Sequence, residues 1–289
     1  APALIAGNVG LLKHASNVPR SALAIQNILE RAGFPEGAFQ TLLIGSDQVQ
    51  RVLTDSRVRA ATLTGSDAAG RAVASGAGHS LKPTVLELGG ADPFIVMPSA
   101  DLSDAVQAAI IGRTINNGQS CIAAKRFIVH SDVYDEFTDR FVAAFEELTV
   151  GDPMLDTTDI GPLAMAQIRD DIDKQVTHST ALGAQKLIGA ERIAGGGYYY
   201  RPGILAQIPE SAPAYAQEVF GPVAMLFRVS SLEEAIKVGN ATPFGLGSAI
   251  FTHDQQDIDR ATDELDAGAT FVNQIVVSDP SRPFGGVKA

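Results

Sequence analysis

The first ninety residues alternate short apolar segments with amphipathic segments, and this alternation constrains the fold more than any other feature of the sequence. The apolar segments predict strands near Val9–Lys13, Phe39–Ile44, Ala60–Thr64 and Pro83–Glu87. The segments between them predict helices near Arg20–Arg31, Gln48–Thr54 and Asp67–Gly78. Strands that alternate with helices over short connections predict an α/β fold with a parallel, doubly wound sheet.

The alternation resumes beyond Gly89 and Gly90 and predicts a second α/β domain. Strands are predicted near Phe94–Met97, Arg126–Val129, Val223–Val229, Ser248–Thr252 and Ala269–Val272, and helices near Leu102–Asn116, Asp132–Leu148 and Met165–Leu182. A loop rich in Gly, Pro and Asp is predicted over 151–162, and a surface turn over 195–197. We therefore expect one domain over residues 1–90 and another from residue 91 onwards.

Composition excludes several classes of partner. The net charge of −11 argues against a nucleic-acid surface, because phosphate backbones are bound by clustered Lys and Arg. The apolar runs are far shorter than the roughly 20 residues of a membrane span, and no signal peptide opens the chain. We expect a cytoplasmic protein that binds neither nucleic acid nor membrane.

The single cysteine, Cys121, excludes an internal disulfide and a metal site built from several cysteines. The five histidines show no paired spacing on one helix face, so no metal site is expected. Cys121 follows the polar, glycine-containing segment Asn116–Ser120, whereas a structural cysteine usually lies among aliphatic residues. Lys125 and Arg126 follow closely, and such surroundings lower the pKa of a thiol. A reactive thiol and a small buried side chain both remain open here.

Two further segments are candidates for a ligand site. Gly65 and Ser66 end a strand and open a helix, with Ser66 as N-cap, so free backbone N–H groups and the helix dipole would face a phosphate there. Glu87 ends a buried strand before Gly89 and Gly90, at the sheet edge where ligands bind in doubly wound folds. Each segment also has a purely structural interpretation. Gly65 and Ser66 could form an ordinary strand-to-helix junction, and Glu87 could be a solvated charge at a strand end.

Four ordered motifs give the chain a family resemblance. Glu87-Leu88-Gly89-Gly90 precedes Gly118-Gln119-Ser120-Cys121, with the cysteine 34 positions after the glutamate, and Glu218-Val219-Phe220-Gly221-Pro222 and Pro283-Phe284-Gly285-Gly286 follow. In these motifs the sequence resembles the aldehyde dehydrogenases over essentially all 289 residues. The resemblance implies a dinucleotide-binding domain over 1–90, a catalytic domain over 91–278 and a return segment over 279–289.

The resemblance also implies a role for each motif. Cys121 attacks the aldehyde, and Glu87 activates the water that hydrolyses the resulting thioester. Glu218 binds the nicotinamide ribose and Phe220 packs beside the nicotinamide ring, while Leu88 joins Gly65 and Ser66 among the cofactor residues. The backbone N–H of Cys121 supplies half of an oxyanion hole.

Cofactor choice follows from two residues of the first strand and its loop. By the resemblance, Lys13 meets the adenosine ribose, and Ser16 stands where NAD-preferring members carry a glutamate. Because a glutamate there would repel a 2′-phosphate, Ser16 favours NADP as cofactor, with NAD as the alternative.

The segments 12–19 and 116–126 most resemble NADP-preferring bacterial succinate-semialdehyde dehydrogenases. Ser278 then corresponds to a serine that binds the carboxylate tail of the substrate. Ile115 departs from the pattern, since some of these enzymes have an arginine there, and Arg113 lies two residues earlier. Ala123 stands where some relatives carry a second cysteine, so an intramolecular disulfide switch is excluded.

Both ends of the chain look truncated by comparison with the family. We expect the parent to be a homo-oligomeric enzyme acting on a small aldehyde. Three alternatives remain: the same chemistry on another aliphatic aldehyde or semialdehyde, a cofactor-binding fragment without turnover, and a redox-sensing thiol protein.

Overall fold

A computed structural model describes residues 2–288 of the chain, which divides into two compact units, Ala1–Leu88 and Gly89–Ala289. Parallel strand pairs dominate both units, which confirms the predicted α/β fold class. The identification of the two units as dinucleotide-binding and catalytic domains, with a return segment over 279–289, stays a prediction.

The first unit contains four helices and two parallel strand pairs. Its helices are α1 (Pro2–Ile5), α2 (Pro19–Arg31), α3 (Val49–Thr54) and α4 (Asp67–His79), and its strands are β1 (Gly10–Lys13), β2 (Phe39–Leu42), β3 (Ala61–Thr64) and β4 (Thr84–Glu87). Strand β1 pairs with β2, and β3 pairs with β4, as two separate two-stranded sheets. The predicted order of elements is confirmed, and a 3₁₀ turn at Ser46–Gln48 precedes α3.

Local capping explains where α4 begins. Ser66 is its N-cap, and the Ser66 hydroxyl accepts a hydrogen bond from the Ala69 N–H at 3.4 Å, as predicted from the sequence. Gly65 donates its N–H to the carbonyl of Glu87 at 3.0 Å, which extends the β3–β4 ladder by one residue. Because β3 and β4 are parallel, Ser66 and Glu87 lie at the same edge of this sheet.

The second unit is built on a seven-stranded sheet. Its strands are β5 (Pro93–Val96), β6 (Arg126–His130), β7 (Gln185–Ile188), β8 (Glu191–Arg192), β9 (Tyr200–Arg201), β10 (Gly203–Ala206), β11 (Val223–Val229), β12 (Ser248–Phe251) and β13 (Thr270–Val272). The sheet has the order β13-β12-β5-β6-β11-β10-β7, and only β7 runs antiparallel to its neighbour. Strands β8 and β9 form a separate hairpin around the predicted turn at 195–197.

Helices cover the seven-stranded sheet, and alternate residues of its central strands point to opposite faces. The helices are α5 (Leu102–Thr114), α6 (Ser131–Glu146), α7 (Ala166–Ala181), α8 (Pro213–Ala216), α9 (Leu232–Asn240) and α10 (Gln255–Glu264). Ile95 and Ile128 belong to one buried cluster, whereas Phe94 and Phe127 belong to the other. A strand buried on both faces reads as a continuous apolar run, as β5 does.

The predicted end of α5 is wrong. The helix expected over Leu102–Asn116 ends at Thr114, and a 3₁₀ turn follows over Ile115–Gly118. Asn116 and Asn117 adopt left-handed backbone angles, with φ of 49° and 56°, which no α-helix accommodates. Strands β7 and β10 and helices α9 and α10 were not predicted.

Among the described residues, no helix is long and apolar enough to cross a membrane.

Near the end of the chain, Val287 donates its N–H to the Gly245 carbonyl at 3.0 Å, and the Lys288 ammonium donates to the Asn240 carbonyl at 2.9 Å. This last segment therefore contacts residues of the second unit.

The aromatic core of the second unit gives a stability prediction. Phe127 is fully buried and lies within 5.2 Å, ring centroid to centroid, of Phe94 and within 4.9 Å of Phe141. We expect Phe127→Ala to lower the free energy of unfolding by about 3–5 kcal/mol, because the lost apolar surface leaves a cavity. Denaturant unfolding followed by tyrosine fluorescence measures this, since the chain has no tryptophan and its tyrosines all lie in the second unit.

Met154→Ala is the matched control. Met154 is 85% exposed in the same unit, so its truncation should change the unfolding free energy by no more than about 0.5 kcal/mol. Equal losses in the two variants would contradict the assignment of Phe127 to the core.

Candidate active site

In the first unit, three of the residues predicted to bind the cofactor and the predicted base lie at the carboxyl edge of β3 and β4. Gly65, Ser66 and Glu87 meet there through the hydrogen bonds that join β3, β4 and the start of α4. Leu88 packs on Gly70 of α4 so closely that a Cβ atom on that glycine would lie 2.6 Å from a Leu88 methyl carbon. The strand-to-helix junction is thus held tightly in place.

Lys13 and Ser16 lie at the other strand pair of the first unit. Lys13 is the last residue of β1 and is exposed, and Ser16 is exposed in the loop that leads to α2. Both side chains are therefore open to a ligand.

In the second unit, Cys121 follows a turn of unusual backbone conformation. Asn116, Asn117 and Gly118 have consecutive positive φ angles of 49°, 56° and 74°. Asparagine and glycine tolerate this left-handed region better than other residues. A Cβ atom on Gly118 would lie 2.3 Å from the Gly221 carbonyl oxygen, so the turn packs directly against the Glu218–Pro222 motif. Two motifs far apart in the sequence are in contact here.

Polar side chains hold this turn from both sides. Arg113 is fully buried, and its guanidinium donates to the Gly118 carbonyl at 2.8 Å. Asn117 bridges the loop at 161–162, accepting from the Gly161 N–H and donating to the Pro162 carbonyl, both at 3.2 Å. Arg113 is therefore a support of the turn, not a group exposed to a substrate.

The Lys125 ammonium is the centre of the site. It is fully buried and has four oxygen atoms within 3.2 Å. Three are the carbonyl oxygens of Ser120, Cys121 and Ala123, at 2.9, 3.1 and 3.1 Å, and the fourth is Oε1 of Glu218 at 3.2 Å. A buried ammonium is tolerated only with such partners, because desolvation alone disfavours the charge.

Glu218 joins the Lys125 centre to a cleft. Its Oε1 also accepts the Gly90 N–H at 3.1 Å, and the Gln175 amide donates to its backbone carbonyl at 3.0 Å. The Glu218 side chain is 18% exposed, and it lines a cleft of about 440 Å³ together with Phe220 and residues of α7. Glu218 and Phe220, predicted separately as cofactor residues, thus share one cleft.

Gly89 and Gly90 allow this close approach. A Cβ atom on Gly89 would lie 2.6 Å from the Glu218 carboxylate, and one on Gly90 would lie 2.3 Å from the Cys121 carbonyl oxygen. Real Cβ atoms do not approach other heavy atoms so closely, so neither position accepts a larger residue without movement of its neighbour. Gly89 therefore lies directly against Glu218, and Gly90 lies directly against Cys121.

The electrostatics of Cys121 correct one expectation. Burial raises the pKa of the thiol above its ordinary value, and the negative charges of Asp92 and Glu218 add to this, whereas Lys125 and the Ile122 N–H lower it. Burial outweighs the lysine, so the predicted lowering of the Cys121 pKa is wrong for the protein alone.

Arg126 was expected to help lower the pKa of Cys121, but its guanidinium lies elsewhere. Its guanidinium is stacked over the rings of Tyr215 and Phe227, at 5.1 and 4.8 Å, and it donates to the Val238 carbonyl. Arg126 therefore stabilises the sheet and its covering helices.

Asp92, which sequence reasoning missed, is the other buried charge near the thiol. Its Oδ1 accepts the Gly247 N–H at 3.1 Å, and burial raises its pKa to about 7. Only its position between the double glycine and β5 signalled a role.

Ser278, predicted to bind the substrate carboxylate, is exposed in the loop after β13. Within residues 2–288, no three metal-ligating side chains form a cluster.

Comparison with known proteins now gives the family. The family model described as "Aldehyde dehydrogenase family" matches residues 1–289, and the chain belongs to this family. It is 55% identical over 288 residues to "Succinate-semialdehyde dehydrogenase [NADP(+)] 1" of Mycobacterium tuberculosis and to "Succinate-semialdehyde dehydrogenase [NADP(+)]" of Mycobacterium avium. It spans only 63% and 61% of these relatives' lengths, respectively, although both alignments cover 100% of the chain.

Solved structures agree with this assignment. The succinic semialdehyde dehydrogenase of Streptococcus pyogenes, determined in complex with NADP+, matches with a TM-score of 0.97 and 40% identity, over 100% of this chain and 63% of that one. The succinate-semialdehyde dehydrogenase of Burkholderia pseudomallei matches with a TM-score of 0.96 and 35% identity, over 99% of this chain and 60% of that one.

The contact between Gly118 and Gly221 gives a prediction about the turn that precedes Cys121. Gly118→Ala places a side chain at a positive φ and against a carbonyl oxygen, so we expect the unfolding free energy to fall by about 1–3 kcal/mol. We also expect the rate of Cys121 alkylation by iodoacetamide to change, because the turn must move.

Gly196→Ala serves as the control, since a Cβ atom there would contact nothing within 4 Å. Its unfolding free energy and alkylation rate should match those of the parent chain. If Gly118→Ala also matched the parent in both measurements, the close packing of the two motifs would be refuted.

Proposed function

We propose that the chain carries the catalytic cysteine and the cofactor site of an enzyme that oxidises an aldehyde to a carboxylic acid, with NADP as cofactor. The observation that carries the proposal is that Lys125 joins the backbone of Cys121 to Glu218, which lines the cleft. Family membership supports the same chemistry.

In the proposed reaction, the Cys121 thiolate attacks the aldehyde carbon and forms a covalent carbon–sulfur bond. A thiolate is a strong nucleophile and a good leaving group, so the covalent route divides one difficult oxidation into two easier steps. The carbon bonded to the Cys121 sulfur then loses its hydride, for which NADP, when bound, would supply the acceptor, and a thioester on Cys121 remains. Glu87 then takes a proton from the water that attacks the thioester, which releases the carboxylic acid and returns the thiolate. The Cys121 N–H stabilises the developing oxyanion.

The described residues fit a dinucleotide. The N–H groups at the start of α4, a helix of 13 residues, would bind phosphate oxygens beside Gly65 and Ser66. The Glu218 carboxylate in the cleft would accept hydrogen bonds from the nicotinamide ribose, with Phe220 beside the ring. Leu88 supports the junction through Gly70, and Lys13 and Ser16 would meet the adenosine ribose.

For the substrate, we propose succinate semialdehyde, the substrate named for the relatives of 55% identity and for the Streptococcus pyogenes structure. Ser278 would bind the distal carboxylate. Because Arg113 is buried and bound to Gly118, it does not take that role. The parent enzyme, which we propose to be a homo-oligomer in the cytoplasm, would use the same residues.

The reaction is tested by rapid mixing of this chain with succinate semialdehyde and NADP while NADPH absorbance is recorded. We expect a burst of NADPH that Cys121→Ala abolishes. Glu87→Gln should keep the burst but lower steady turnover by roughly 10²–10⁴, since only the hydrolysis step needs the base. A burst that survives Cys121→Ala would overturn the proposal, and cofactor binding without any burst would identify a binding protein instead.

Cofactor choice is tested at Ser16. We expect tighter binding of NADP than of NAD by calorimetry, and Ser16→Glu should weaken NADP binding by roughly tenfold or more relative to NAD, a difference of about 1.4 kcal/mol. The physical reason is repulsion between the new carboxylate and the 2′-phosphate. Ser16→Gln is the control of equal size without charge. Equal or tighter binding of NAD by the parent chain would contradict the choice of NADP.

A further inference from the structure

Lys125 has no role in the proposed reaction, yet its surroundings are built around it. The ammonium can donate three hydrogen bonds, and four acceptor oxygens surround it within 3.2 Å. Its side chain is fully buried, so water does not compete for these donors. An uncharged side chain of the same length would leave three carbonyls and one carboxylate without this partner.

These acceptors belong to the two segments that carry the proposed chemistry. The carbonyls of Ser120, Cys121 and Ala123 form the backbone around the nucleophile. Glu218 faces the cleft with Phe220. A single ammonium therefore joins the nucleophile to the wall of the cleft.

We propose that Lys125 is a positioning residue that holds the Cys121 backbone and the Glu218 carboxylate in one arrangement and balances the negative charge beside the thiol. Its catalytic meaning rests on the proposed function of Cys121 and Glu218. Its physical role does not depend on that function and can be measured without substrate or cofactor.

The charges around the thiol give this role a distinct signature. Lys125 favours the Cys121 thiolate, whereas Asp92 and Glu218 disfavour it. Arg113 is the other cation that acts on Lys125 itself. Removal of the lysine and removal of the glutamate must therefore change the pKa of the Cys121 thiol in opposite directions. A loss of packing would not have opposite effects in the two variants.

The test is the pH profile of Cys121 alkylation by iodoacetamide. The thiolate sulfur bonds to the methylene carbon and iodide leaves, so the rate reports the thiolate fraction. Cys121 is the only cysteine, so mass measurement of the whole chain follows this one site. The variants are Lys125→Met, Glu218→Gln and the double variant.

We expect Lys125→Met to move the profile to higher pH and to lower the alkylation rate at pH 7 by roughly threefold or more, the factor for half a pH unit. Glu218→Gln keeps acceptor oxygen for Lys125 and Gly90 but loses its charge, so its profile should move to lower pH and its rate at pH 7 should rise by a similar factor. The double variant should lie between the two single variants.

Lys237→Met is the matched control, since Lys237 is an exposed lysine of α9 in the same unit. Its profile should coincide with that of the parent chain. Circular dichroism and thermal unfolding establish which variants are folded. If Lys125→Met does not fold, Glu218→Gln and the double variant carry the test, because they leave no carboxylate at residue 218 without a partner.

Shifts in the same direction for Lys125→Met and Glu218→Gln, or no shift in either, would overturn the proposal. So would a double variant whose profile lies outside the range of the two single variants. A shift of the expected sign together with no NADPH burst would leave the role of Lys125 in place and count against the proposed function alone.

Discussion

The burial of the Lys125 ammonium determines where the Cys121 backbone and the Glu218 carboxylate lie in the second unit. A charged nitrogen removed from water requires oxygen partners, and Lys125 has them in the carbonyl oxygens of Ser120, Cys121 and Ala123 and in the Glu218 carboxylate. Because the lysine directly precedes β6, the sheet itself sets where the ammonium lies. The Cys121 backbone and the Glu218 wall of the cleft are therefore positioned by the same rigid element.

Two glycines allow the segments around Lys125 to pack closely together. Gly90 packs against the Cys121 carbonyl, and Gly118 packs against Gly221 of the Glu218–Pro222 motif, at distances that exclude a Cβ atom. The left-handed turn of Asn116, Asn117 and Gly118 is strained, and Arg113 stabilises it from the buried side. These contacts explain why short motifs, widely separated in the chain, form one site.

Much of this arrangement was predictable from the sequence, because its signals are local. The N-cap Ser66 and strand β11 follow from capping and strand patterns. The end of α5 was misplaced by two residues, because the contact that holds the turn at Ile115–Gly118 comes from Gly221, far along the chain. The direction of the Cys121 pKa was also missed, because burial is a tertiary property.

The proposed function requires Cys121 to carry the acyl group between the two chemical steps. The most direct measurement is mass spectrometry of the Glu87→Gln chain after mixing with succinate semialdehyde and NADP, followed by peptide mapping. A succinyl thioester on the peptide that contains Cys121, absent when NADP is omitted and absent from Cys121→Ala, is the result this account predicts. An acyl group on any other residue, or no adduct while NADPH is formed, would contradict it.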